Sequence, residues 1–164
     1  MAHELEQALI GWSAAAPPSH ILEGLDAELA ARKIAGAPRT IYEEVWHLAF
    51  WQQVSIDWFN EVVTPCPDHD YQGFPTEADT ARESWEDLRK RFLAGAEEAA
   101  AIARDEARLK KTVRCPSPKD PARTMTVEDQ MISLVAHNHY HLGRVVLLRQ
   151  IAGAWPPASG GFTW

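Results

Sequence analysis

Ala136-His137-Asn138-His139-Tyr140-His141-Leu142-Gly143-Arg144 sets three histidines in a strongly apolar run near the C-terminus. Helical residues four apart lie one above the other, so His137 and His141 aim two imidazoles at one point, as in a helical H-x-x-x-H metal pair. His139 is turned about 200° from His137 and lies on another face, aligned with Val135, Leu142 and Val146 on a second apolar stripe. Leu134, His137, His141, Val145 and Leu148 share one stripe, so the pair interrupts a seam that a partner helix must cover. A polar group in such a seam is costly unless hydrogen-bonded or metal-bound. Two readings stand: satisfied core histidines, or two ligands awaiting a third.

The rest of the chain supplies the partners of that helix. Thr126 with Asp129 opens it and Ala152-Gly153 ends it, leaving Ala154 to Trp164 as an irregular tail. Upstream, Ala81, Trp85, Leu88, Phe92, Gly95, Ala99 and Ile102 predict one helix over about 77 to 106, capped by Thr76. Thr40 and Glu43 form a capping box that opens another, running to about Val63 with Ile41, Val45, Leu48, Phe59 and Val62 on one stripe. From Ser19 a helix is predicted that Asp26 to Lys33 continues or restarts, forming the first bundle column, and residues 4 to 10 predict a short helix of undefined role. No strand pattern is evident. The expectation is an all-α four-helix bundle. A helix of about 22 residues is roughly 33 Å long, and a loop of about 13 residues spans up to about 45 Å, so the second and third helices can run parallel.

His47 lies on the stripe His47, Trp51, Val54, Trp58 of the second helix, where it can join His137 and His141 without help from a loop. Three neutral imidazoles suit zinc, nickel or iron better than calcium or magnesium, and they leave a coordination position open. Glu43 and Glu44, one turn earlier, fit a hydrogen-bond acceptor or general base beside the metal, or plain first-turn carboxylates. Trp46, Trp51 and Trp58 could wall an apolar pocket or simply fill the core. His3, His20 and His69 read as solvated side chains.

Composition narrows the function. The 164 residues suit one domain, with a net charge of −7, 46% hydrophobic and 24% charged residues. That balance argues against nucleic-acid binding, and no apolar run is long enough for a membrane span. The polar start Met1-Ala2-His3-Glu4 is unlike an export signal, and the two cysteines, Cys66 and Cys115, make no C-x-x-C. A cytoplasmic protein with reduced thiols is expected.

These residues carry a family resemblance. Over about 19 to 155 the chain resembles the DinB-like superfamily of damage-inducible and YfiT-like proteins, through Leu22-Glu23-Gly24-Leu25, through Ala37 to His47, and above all through His137, Tyr140-His141-Leu142-Gly143 and Arg149. The resemblance implies up-down-down-up connectivity and makes His47, His137 and His141 the metal triad, for zinc or nickel. It also implies homodimers, and in some relatives S-transfer or isomerisation with a low-molecular-weight thiol such as bacillithiol or mycothiol. Arg144 stands where such proteins often carry Gln. The expected function is a metal-dependent enzyme for a small molecule, a thiol transferase or hydrolase; the alternative is a non-catalytic metal-binding or stress-response bundle.

Overall fold

The computed structural model describes residues 1–11 and 13–160. The expectation for the tail at Gly161 to Trp164 lies outside the described residues; residues 154 to 160 are turns and irregular chain. The helices are α1 (Ala2–Ile10), α2 (Pro18–Ile21), α3 (Ala27–Ala31), α4 (Ile41–Phe59), α5 (Glu77–Arg82), α6 (Trp85–Ala103), α7 (Glu106–Leu109) and α8 (Val127–Ile151). Two short strands, β1 (Thr112–Arg114) and β2 (Thr124–Thr126), pair antiparallel with Val113 opposite Met125.

Long-range side-chain contacts fix the directions. Tyr42 Oη donates to the Glu83 carbonyl, Gln52 Nε2 to that of Phe92 and Arg108 to that of Phe59, so α4 and α6 run parallel. Glu44 meets His141 while Ser55 meets Gln130, so α8 returns antiparallel to α4. Glu6 pairs with Arg104, and Trp85 Nε1 donates to the Leu25 carbonyl, so the first column runs opposite to α6. The bundle is up-down-down-up.

One open alternative is decided and three expectations need correction. In the first column the chain restarts rather than continues: α1 forms the lower half, and the upper half is α2 followed by α3. Gly24 sits at φ +69°, a left-handed conformation that ends a helix, and Asp26 recaps the chain by accepting from the Leu29 amide. The helix expected over 77–106 is two: Ser84 accepts from the Asp87 amide and opens α6 afresh, and α5 buries no residue. α4 stops at Phe59, and Glu61 at φ +61° turns the chain so that Val62 is exposed. Finally, the connection after α6 contains the β1–β2 hairpin, too short to leave an alternating pattern in the sequence.

The core falls into two clusters along the bundle axis. Leu5, Leu9, Trp58, Ile102 and Met131 belong to the lower one, and Leu22, Val45, Phe92, Leu142 and Val145 to the upper. At mid-height of the bundle lie buried polar side chains. Asn138 Nδ2 donates to Gln52 Oε1, 3.3 Å, whose own Nε2 donates to the Phe92 carbonyl, 2.8 Å. Such buried amides must be paired, so they fix the register of α4 against α6 and α8.

Candidate metal centre

His47 is held by α4 one turn beyond its capping box; His137 and His141 project from one face of α8. The three ring centroids lie 4.5 to 5.0 Å apart. One nitrogen from each lies within 4.8 Å of the others, a grouping that could hold a metal ion.

Two of the rings are pinned from behind. His47 Nδ1–H donates to the Gly73 carbonyl, 2.7 Å; because a carbonyl only accepts, the proton sits on Nδ1 and Nε2 carries the lone pair, turned toward His137. His141 Nδ1–H donates to Glu44 Oε2, 2.6 Å, which leaves its Nε2 free likewise. His137 Nε2 stands 3.0 Å from His47 Nε2, and its buried Nδ1 has no hydrogen-bond partner. Burial, reinforced by neighbouring imidazoles, pushes both His47 and His137 down to about 4. At neutral pH they are uncharged, the state in which histidine ligates.

Glu44 is fully buried. Its second oxygen lies 2.8 Å from Arg144 Nη2, so a charged pair stands behind His141. A carboxylate that accepts from a ligating imidazole fixes the ring and raises its basicity. Glu43 has the plainer role: its carboxylate accepts from the Thr40 amide, 2.7 Å, to complete the capping box. Phe74 stacks on the His47 ring with centroids 4.1 Å apart, and the Arg39 guanidinium covers the far side of Phe74. Gly73 is needed for close approach: a Cβ there would lie 2.9 Å from Trp51 Nε1 and 3.3 Å from His47 Nδ1.

The histidines open onto a cavity of about 500 Å³, within the range of small-molecule sites. Trp51, Trp58, Phe74 and Leu134 supply apolar wall; Ser117, Arg123 and Gln130 supply polar groups.

The sequence model of the DinB superfamily matches residues 19–145. The chain belongs to the DinB superfamily. No curated protein is significantly similar to it. In this DinB-superfamily chain the matched span holds all three histidines and both capping-box residues of α4, while α1 lies before it.

The other candidates are elsewhere. His139 Nδ1–H donates to the Val135 carbonyl of its own helix, 2.8 Å, apart from the three-histidine group. Its stripe packs inward, with Leu142 buried and Val135 and Val146 against the core clusters. His69 stacks on Tyr71 at the surface, His3 is exposed, and His20, contrary to expectation, packs edge-on against Trp155. Trp46 stacks on Phe50 and is not among the cavity residues. Sequence reasoning missed Gly73, Phe74, Arg39 and Arg123, which come from connections with no periodicity. It did single out Glu44 and Arg144, without seeing that they meet.

Proposed function

We propose that residues 1–164 form one domain of a cytoplasmic metal-dependent enzyme, in which His47, His137 and His141 hold one divalent transition-metal ion, zinc or nickel. The observation that carries this reading is the convergence of three imidazoles, two pinned by acceptors behind them, at the wall of an apolar cavity. A three-histidine donor set leaves a position open, and the ion when bound supplies Lewis acidity that brings a coordinated water or thiol into its ionised form near neutral pH. Reaction with a small electrophile is then S-transfer from a low-molecular-weight thiol or hydrolysis.

The chain's own side chains have distinct tasks. Glu44, backed by Arg144, orients His141 and compensates positive charge at the site. The Gly73 carbonyl and the Phe74 ring orient His47. Trp51, Trp58 and Leu134 keep water from the substrate side, which strengthens electrostatic effects there. Both cysteines are free thiols, in keeping with a reducing compartment. Among the described residues no helix is long and apolar enough to cross a membrane.

The test is a screen of small thiols against alkylating and epoxide electrophiles, with ester hydrolysis in parallel, on the zinc-loaded and nickel-loaded chain. Turnover that vanishes in His141→Ala is expected. Bound metal without turnover, together with a large loss of stability on chelation, would assign the ion a structural role instead.

A homodimer is the second part of the proposal. Ile132, Ala136, Tyr140, Gly143, Leu147 and Ile151 recur at steps of four and three along α8 and are all exposed. An apolar stripe along a whole helix is the kind of face a second copy covers. Sedimentation should give twice the chain mass, and a monomer at micromolar concentration would end this part.

A further inference from the structure

Arg123 differs from most arginines of this acidic chain. Arg32, Arg39, Arg89, Arg91, Arg104 and Arg144 each pair with a glutamate. Among the described residues no carboxylate lies within ion-pair distance of Arg123. Its Nε–H donates to the Cys115 carbonyl, 2.7 Å, and its own carbonyl accepts from the Cys115 amide, 2.9 Å. Backbone and side chain are thus both anchored on the β1–β2 hairpin, while the two terminal nitrogens of the guanidinium have no hydrogen-bond partner among the described residues.

That half-exposed side chain lines the same cavity as the three histidines. Ser117 and Gln130 line it too. The Ser117 hydroxyl accepts from the Asp120 amide, which leaves its own proton to donate. The other charged residue on the cavity wall, Asp70, belongs to the turn that carries Gly73 and is not paired with Arg123. The cavity therefore has a ligating end, an apolar middle of Trp51, Trp58, Phe74 and Leu134, and a cation that belongs to no ion pair among the described residues.

The geometry points to Arg123 as the anchor for a carboxylate on the substrate, so that the site takes small amphipathic acids whose reacting end faces the histidines. The planar guanidinium offers two parallel N–H groups that match the two oxygens of a carboxylate, and because the side chain is half-exposed the pair responds to salt. This inference rests on the cavity being the substrate site proposed above.

Calorimetric titration with para-(mercaptomethyl)benzoate and with its neutral amide, para-(mercaptomethyl)benzamide, tests it on the full chain. The expected result is that the carboxylate binds about tenfold or more tightly than the amide. The preference disappears in Arg123→Gln, whose zinc stoichiometry stays as in the wild type, and shrinks to a few-fold in Arg123→Lys. Para-toluate and para-toluamide, which lack the thiol, repeat the comparison on the zinc-free chain. Should zinc raise the affinity of neither thiol, the metal reading fails while a persisting carboxylate preference still supports Arg123. No preference in the wild type, or one unchanged in Arg123→Gln, overturns the anchor. If Arg123→Gln does not fold, a wild-type preference that is the same at low and high salt overturns it equally.

Discussion

Glu44→Ala destabilises the chain by about 3 kcal/mol and weakens metal binding by about 10- to 100-fold. Both effects come from one buried carboxylate with two partners: Oε2 accepts from His141 Nδ1–H, and Oε1 faces Arg144. Removing it strands a partly buried guanidinium and a ring donor at once, and a broken buried pair costs more than an absent one. Glu44→Gln separates the effects. An amide oxygen still accepts from His141, so metal affinity is largely kept, while the lost charge leaves Arg144 uncompensated and stability still falls. Denaturant melts with and without zinc read the two quantities on the same samples. Equal metal affinity in wild type and Glu44→Ala would show that the carboxylate does not support a ligand.

His47→Ala lowers metal affinity on the order of a thousandfold, while His139→Ala changes it by less than about twofold. The two substitutions contrast because His139 is committed to the Val135 carbonyl and stands outside the group, whereas His47 is the contribution of α4. Without it only the pair on α8 remains, and two imidazoles on one helix are a weak site. The metal-free His47→Ala chain also loses about 1 to 2 kcal/mol, since the buried Gly73 carbonyl loses its donor. Competition titration against a chromophoric chelator reads the affinities. Matching losses in the two variants would contradict the division of α8 into a working face and a packing face.

The parts of this molecule that were legible in its sequence obey a period or a cap. Leu134, His137, His141, Val145 and Leu148 share one face because helical geometry leaves no alternative, and the Thr40–Glu43 and Thr126–Asp129 signatures open α4 and α8 as read. Loop length allowed parallel α4 and α6, and the family resemblance implied them. Illegible were the features set by one residue's backbone angle or by contacts between distant segments. Gly24 in a left-handed conformation splits the first column although its flanking apolar spacing is continuous. Ser84 restarts a helix inside a run whose periodicity passes through it. The turn at Gly73 reaches His47 by tertiary packing, and no local pattern marks it. Glu44 and Arg144 are a hundred residues apart in sequence, so their pairing appears only when α4 and α8 are laid antiparallel.

The central claim is that α4 and α8 together build one transition-metal site. The most direct test is to titrate the tag-free, chelator-treated chain with zinc and with nickel, while following imidazole nitrogen shifts by NMR. The account predicts saturation at one ion per chain, with the signals of His47, His137 and His141 moving together and that of His139 unmoved. A chain that takes up no stoichiometric metal, or one that binds it through other side chains while these three signals stay in place, would contradict it.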